Sequence, residues 1–129
     1  MVRKRARLSR SSEFQRIYRQ GSSTASRHLV LHYFQRPPGT IESGPRLGLS
    51  VSKKIGGAVL RNRVKRLLRE AFSSVETFVA QDYDYVLIAR PPLADLVERQ
   101  EKGEKGIVQE AVIELFRRSS LLGEEPNGA

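Results

Sequence analysis

The sequence contains no cysteine. The chain can therefore form neither a disulfide framework nor a thiolate site for zinc or an iron–sulfur cluster, and it has no thiol nucleophile. It also lacks any apolar run near the roughly 18 residues that a membrane helix needs. No apolar segment of the secretory type follows the basic start, so we expect no secretory signal. These absences exclude a disulfide-stapled or membrane-spanning protein, and we expect a cytoplasmic one without a membrane partner.

Acidic residues are scarce in the first part of the chain. Residues 1–72 carry seventeen Lys and Arg side chains against three acidic ones, a net charge of +14. Residues 73–129 carry six basic and eleven acidic side chains, a net charge of −5. A charge this large and this segregated predicts a polyanionic partner for the N-terminal half. A basic, well-solvated surface without such a partner is the alternative interpretation.

The length of 129 residues fits one domain with a single core. The first ten residues hold five basic groups and little to bury, so we expect a basic flexible arm over 1–10. Contact with RNA is favoured over a targeting role for this arm. We expect a single RNA-binding domain over 11–122 and a disordered tail over 123–129.

Hydrophobic periodicity predicts three strands and three helices. The strands are expected over residues 27–35, 46–52 and 84–90, and the helices over residues 12–20, 58–78 and 107–121. Ser12 and Gln15 have the spacing of a helix capping box. Residues 91–106 open with two prolines and end in a charged, glycine-punctuated stretch, which predicts a short helical turn and a mobile linker.

The first two predicted strands each have one apolar face. Apolar side chains at alternate positions predict the core side of both strands, namely Leu29, Leu31 and Tyr33 in one and Leu47, Leu49 and Val51 in the other. The opposite faces carry smaller, hydrogen-bonding groups together with a few apolar ones, including Val30, His32 and Ser50. This composition predicts a surface that a ligand contacts.

Residues 52–70 read SKKIGGAVLRNRVKRLLRE and predict an amphipathic helix from Leu60 onward. One sector is apolar, and the opposite sector holds Asn62, Lys65, Arg66 and Arg69, with Arg61 and Arg63 at its flanks. Like charges at this spacing destabilise an isolated helix, whereas phosphate groups would neutralise them. Lys53 and Lys54 add two cations near the positive helix N-terminus. The segment is no P-loop, and the pattern predicts a nucleic-acid-binding helix.

The string KKxGxAVxRNRxKRxxRE in this segment is strongly similar to the RNR signature of the bacterial ribonuclease P protein subunit. Further similarity lies in the motifs FxxxYxxG, RxLVLxxF, RLGLSVSKK, DYxxIARP and LFRRSSLL, which together extend the resemblance over most of residues 9–122. The resemblance implies an α+β fold, a two-layer αβββαβα sandwich with a left-handed crossover around the RNR helix. It also implies a four-stranded sheet, one strand more than periodicity locates.

The resemblance implies an accessory subunit rather than a protein enzyme. In this family a catalytic RNA hydrolyses precursor transfer RNA with Mg²⁺, and the protein binds both that RNA and the 5′ leader. The catalytic-RNA-binding residues would be Lys53, Lys54, Arg61, Asn62, Arg63, Lys65, Arg66 and Arg69. The leader-binding residues would be Phe14, Tyr18, Val30, His32 and Ser50. We expect no catalytic residue, no metal site and no small-molecule cofactor on the protein, since Mg²⁺ would be held mainly by RNA.

Two of these positions carry an open question. Family members frequently have a tyrosine where this chain has His32, and an imidazole would give a smaller, pH-sensitive contact. Phe14 and Tyr18 fit a leader cleft by stacking on unpaired bases, but they fit a hydrophobic core as well.

Two rival functions stay open at this point. A ribosomal-type or architectural RNA-binding module would share the charge pattern and have no role in cleavage. A protein nuclease would need a catalytic constellation, yet His28 and His32 lie about 13 Å apart along a strand, too far to flank one phosphorus. Asp82 and Asp84 favour a turn or cap role over a magnesium pair, since no third carboxylate is nearby.

Overall fold

A computed structural model describes residues 7–40 and 43–123. Its elements follow the order α1 (Ser11–Gln20), β1 (Ser22–Ala25), β2 (Leu29–Gln35), β3 (Arg46–Ser50), α2 (Ala58–Ser73), β4 (Tyr83–Ala89), α3 (Leu93–Glu101) and α4 (Ile107–Arg118). The predicted α+β class is confirmed, with one strand and one helix more than periodicity located.

The four strands form one mixed sheet in the order β1-β2-β4-β3. β1 pairs antiparallel with β2, and β2 pairs antiparallel with β4. β3 and β4 are parallel neighbours, so α2 forms the crossover between them. The central position of β4 explains its nearly continuous apolar sequence, because both faces of this strand are covered.

The additional strand β1 has the sequence SSTA and is mostly exposed. Its small, mostly polar residues show no alternation of apolar and polar side chains, so the sequence does not predict a strand there. The strand forms because its backbone pairs with β2 at the edge of the sheet. The turn between them is held by the Ser26 hydroxyl, which accepts hydrogen bonds from the backbone amides of His28 and Leu29 at 3.3 and 3.2 Å.

The additional helix α3 occupies much of the predicted turn and linker. Leu93, Leu96 and Val97 are buried at helical spacing, so this segment contributes to the core. The helix therefore takes in residues 98–101, the first four residues of the linker expected over 98–106. Only residues 102–106 connect α3 to α4, through Gly103 and Gly106 at positive φ.

The main core lies between one face of the sheet and the helices α2, α3 and α4. Val64, Leu68 and Phe72 of α2 are fully buried against the sheet, as the predicted apolar sector requires. The Phe72 ring lies 6.0 Å from that of Tyr85 and 5.9 Å from that of Phe116, which joins α2, β4 and α4. α2 ends at Ser73 rather than near residue 78, and residues 74–78 form turns.

α1 lies on the opposite face of the sheet, so the two-layer sandwich carries a further helix there. Ile17 of α1 packs with Val86 and Leu8 in a second, smaller cluster.

The N-terminal cap of α1 differs from the expected one, because Ser12 and Gln15 do not form the capping box. The Glu13 carboxylate instead accepts hydrogen bonds from the backbone amides of Ser9 and Arg10 at 3.4 and 3.2 Å.

The ordered fold begins before the boundary expected at residue 10. Leu8 is 5% exposed, and its backbone amide donates to the Leu47 carbonyl at 2.8 Å. The apolar side chain of Leu8 is buried beside α1. The many basic residues around it in the sequence gave no indication of this burial. Residues 1–6 of the arm and 124–129 of the predicted tail lie outside the described residues, while the Gly123 amide donates to the Phe78 carbonyl at 2.8 Å.

Among the helices of residues 7–40 and 43–123, none is long and apolar enough to cross a membrane.

Candidate RNA interface

The sheet face beside α1 presents three rows of side chains, one each from β2, β4 and β3. The strand register defines these rows as Val30, Ile88 and Ser50, then His32, Val86 and Gly48, then Phe34, Asp84 and Arg46. α1 covers the second and third rows. The first row, which we call the open row, is half-buried and faces outward beside α1. α1 and the open row thus form the wall and the floor of a candidate cleft.

The wall of this cleft is aromatic. The Tyr18 ring meets the His32 ring edge-on at 4.9 Å, and the Phe14 ring lies 6.3 Å from that of Tyr18. Tyr18 is 40% exposed, whereas Phe14 is half-buried against the backbone of Gly48. Tyr18 therefore presents its ring to solvent, and Phe14 serves both the packing of α1 and the wall.

The structure brings all five predicted leader-binding residues to this one face. Phe14, Tyr18 and His32 lie at the wall, while Val30 and Ser50 both pair with Ile88 from opposite sides. Sequence reasoning missed Ile88 as the middle of the floor. Its apolar side chain in a buried strand resembles any core residue, and only the strand register places it between two predicted site residues.

Burial shifts the acid–base behaviour of two groups in the cleft. It lowers the pKa of His32 below its usual value and raises the pKa of Tyr18. Both shifts favour the uncharged side chain. The cleft is therefore neutral at pH 7 and suited to stacking, with an imidazole that acid can charge.

The outer face of α2 carries the predicted cations. Asn62 and Arg66 are exposed, and Lys65 and Arg69 are half-buried along the same side. The Arg66–Glu70 ion pair is long at 3.8 Å and more than half exposed on both sides, so it contributes little and leaves Arg66 available. These side chains can reach phosphate groups without first giving up a strong partner.

The two flanking arginines of the motif differ from the rest, because both also make contacts within the protein. The Arg61 Nε donates to the Gly56 carbonyl at 3.2 Å. Arg63 forms an ion pair with Glu101 at the end of α3, with Nε to Oε1 at 2.8 Å. That pair is about two fifths exposed, so RNA can compete for the guanidinium at moderate cost.

The N-terminus of α2 adds positive potential. Its cap is Gly57, with no side-chain capping bond and no acidic residue in the first turn. The exposed Lys53 and Lys54 lie in the turn that precedes it. Uncapped backbone amides beside two ammonium groups favour an anionic ligand.

Arg7 extends this basic surface toward α1, a contribution that the sequence did not single out. Burial, and after it the positive charge of Arg7, lowers the pKa of Arg69. Within the described residues, the buried Nε of Arg7 has no hydrogen-bond partner. A bound phosphate would relieve the like-charge repulsion between these two side chains.

The two carboxylates of the hypothetical magnesium pair have other roles. Asp82 accepts a hydrogen bond from the Gln35 amide at 2.7 Å. The turn or cap role expected for Asp84 is wrong, since its side chain is 3% exposed within β4 and pairs with Arg36 and Arg46. No group of three or more His, Asp or Glu side chains that could hold a metal ion occurs in the part of the chain that the structure describes.

Comparison with known proteins gives consistent matches. The family model described as Ribonuclease P matches residues 2–110. The ribonuclease P protein component of Bacillus pumilus is 38% identical over 125 residues, which cover 97% of this chain and 97% of that protein. That of Halalkalibacterium halodurans is 46% identical over 102 residues, 79% of this chain and 83% of the relative. The solved RNase P protein of Staphylococcus aureus superposes with a TM-score of 0.77 at 32% identity, covering 92% and 98% of the two chains.

Proposed function

The chain belongs to the family of ribonuclease P protein components, accessory subunits of a tRNA-processing endoribonuclease, and we propose that it binds the catalytic RNA and the 5′ leader of precursor transfer RNA. One observation carries the proposal. A single domain presents a basic helix face on one side of the sheet and a neutral aromatic cleft on the other, and these are two chemically different surfaces for two parts of one RNA complex.

The catalytic RNA would bind the basic face of α2 and the turn before it. The proposed contacts are Lys53, Lys54, Arg61, Asn62, Arg63, Lys65, Arg66 and Arg69. Support comes from the exposure of Lys53, Lys54, Asn62 and Arg66, from the partial exposure of the other four, and from the positive charge that Arg7 adds at Arg69. Each phosphate neutralised by such a cation releases counterions, so assembly should weaken as salt rises. Asn62, which both donates and accepts, suits a base edge or a 2′-hydroxyl.

The leader would lie along the cleft between α1 and the open row. Leader nucleotides are unpaired, so their bases can stack on aromatic rings, each contact contributing about 1–3 kcal/mol. Tyr18 and His32 offer exposed ring surface at the wall, and Val30 and Ser50 flank the floor. A neutral cleft holds bases of any sequence, as a subunit that serves many precursors requires.

The protein contributes binding and orientation, while the chemistry belongs to the RNA. Holding the leader on a surface fixed to the catalytic RNA makes placement of the scissile phosphate intramolecular. We propose that the RNA holds the Mg²⁺ that the reaction requires. We propose a cytoplasmic location for the protein, the compartment of its proposed RNA partners.

A cleavage assay on precursor transfer RNA at low Mg²⁺ concentration tests the proposal. It compares the host's catalytic RNA alone, this protein alone, and the two together. Cleavage at the mature 5′ end that is much faster in the combined reaction is the expected result. Binding of RNA with unchanged cleavage would instead indicate an architectural RNA-binding module, and cleavage by the protein alone would indicate a protein active site.

A further inference from the structure

Arg46 joins the sheet to α1 through a single guanidinium group. Its Nε and one Nη bind the two oxygens of Asp84 at 2.9 and 3.0 Å, an in-plane bidentate contact. The other Nη binds the Glu13 carboxylate at 2.9 Å. All three nitrogens of Arg46 are therefore engaged, two toward β4 and one toward α1.

The Asp84 end of this connection is rigid. Asp84 also pairs with Arg36 at 2.7 Å, and both side chains are less than 5% exposed. Arg36 in turn donates to the carbonyls of Tyr83, Gly44 and Gln81 at 2.9, 2.6 and 3.2 Å. A buried carboxylate held by two guanidinium groups has little freedom to move, since either pair would be costly to break.

The Glu13 end lies in the first turn of α1. Its carboxylate accepts hydrogen bonds from the backbone amides of Ser9 and Arg10. The same side chain therefore caps the helix and forms the ion pair with Arg46. A carboxylate at a helix N-terminus is favoured by the helix dipole, which strengthens this attachment. Arg46 thus holds the N-terminal end of α1 at a defined place on the sheet.

That attachment determines where the cleft wall lies. Phe14 follows Glu13 directly and lies on Gly48, which is two residues from Arg46 on the same face of β3. Tyr18 lies one turn further along α1, against His32. A shift of the helix at Glu13 would move both rings relative to the open row.

We propose that Arg46 is a positioning residue for leader binding, which holds α1 through Glu13 so that Phe14 and Tyr18 meet the leader. This inference relies on the proposed function of the cleft. Arg46 itself need not touch RNA, because its three nitrogens are occupied by protein carboxylates. The chain also supplies a matched control, since Arg36 binds the same carboxylate without reaching α1.

The test measures two affinities of the assembled holoenzyme, one for precursor and one for mature transfer RNA. Arg46→Met should lower the ratio of precursor to mature affinity by about tenfold, roughly the loss of one stacked base. Arg36→Met removes one partner of Asp84 but keeps the Arg46–Glu13 ion pair, so it should lower the ratio much less than Arg46→Met does. Affinity of both variants for the catalytic RNA should match the native protein, because α2 packs on the other face of the sheet.

A second variant and a spectroscopic readout keep the inference testable if Arg46→Met does not fold. Glu13→Gln leaves the Asp84–Arg46 contact in place and weakens the attachment of α1 to Arg46 together with its N-terminal cap, so the ratio should fall in the same direction. Proton NMR should show weaker contacts between the rings of Tyr18 and His32 in that variant. An unchanged ratio in Glu13→Gln, or equal ratios in Arg46→Met and Arg36→Met, would overturn the positioning role. If the native holoenzyme does not distinguish the two RNAs, the proposed function itself fails.

Discussion

Replacing Gly48 with alanine is expected to displace Phe14 and weaken leader binding while leaving contact with the catalytic RNA unchanged. A Cβ at this position would lie 2.6 and 2.7 Å from the Cζ and Cε1 atoms of Phe14, and 3.2 Å from the Cβ of Leu8. Carbon atoms settle at about 3.5–4.0 Å, so the Phe14 ring must move by roughly 1 Å. Gly48 lies within β3 and has no positive φ, so the overlap alone causes the effect.

The magnitude follows from overpacking at a buried contact. Inserting a methyl group into a filled site costs about 1–3 kcal/mol, and we expect the free energy of unfolding to fall within that range. Precursor affinity should fall by about tenfold if the displaced ring loses one stacked base. Affinity for the catalytic RNA should stay at the native level, because α2 lies across the sheet from Phe14.

The assay combines urea unfolding, followed by circular dichroism, with affinities for precursor and mature transfer RNA. Gly57→Ala is the matched control, since no atom lies within 4 Å of an added Cβ and φ is −72° there. That variant should lose no more than about 1 kcal/mol, the cost of replacing a glycine N-cap with alanine. Adding Phe14→Leu to Gly48→Ala should restore stability without restoring precursor affinity. Native stability and native discrimination in Gly48→Ala would refute the placement of Phe14 on Gly48.

The remaining predictions concern the basic face and the cleft. Replacing both Arg66 and Arg69 with alanine should weaken holoenzyme assembly. The slope of the logarithm of the binding constant against the logarithm of salt concentration should become shallower by about 0.7–0.9 for each phosphate that is no longer neutralised. Arg118→Ala on α4 should leave this slope unchanged, and an unchanged slope in the double variant would remove both arginines from the interface. Tyr18→Ala should weaken binding of precursor by about 1–3 kcal/mol and of mature transfer RNA much less, and equal reductions would assign Tyr18 to packing alone. Burial lowers the pKa of His32 in the folded protein below its value in the unfolded chain, which is about 6.5. The neutral imidazole therefore contributes its full stability above the pKa of the unfolded chain, and this contribution is lost as pH falls through the lower pKa of the folded protein. Unfolding free energies at pH 7.5 and 5.0 should therefore differ less in His32→Tyr than in the native protein, and an equal difference would contradict the buried imidazole.

Local periodicity accounts for what could be predicted. The sequence of α2 alone separates buried Val64 and Leu68 from exposed Asn62 and Arg66, because both sets repeat with the helix turn. Alternation in β2 likewise assigns Leu31 to the core and His32 to the opposite face. The RNR string adds the family and the nature of the partner, because its phosphate-binding groups are contiguous in the chain.

Contacts between distant segments account for what the sequence did not reveal. β1 exists because its backbone pairs with β2, although its side chains carry no strand signal. The register of β2, β4 and β3 places Val30 and Ser50 on either side of Ile88. Asp84 becomes a buried counter-ion only because Arg36 and Arg46 reach it from other segments.

Composition and helical or strand spacing thus specify which face of each element is apolar and which is charged, since those properties depend on neighbours a few residues away. The shape of the cleft depends instead on strand register, on the packing of the Phe14 ring against Gly48 and on the ion pair between Arg46 and Glu13 of α1. These features arise from hydrogen bonds and close contacts between residues more than thirty positions apart along the chain. Such pairings form only when the whole domain has folded around one core.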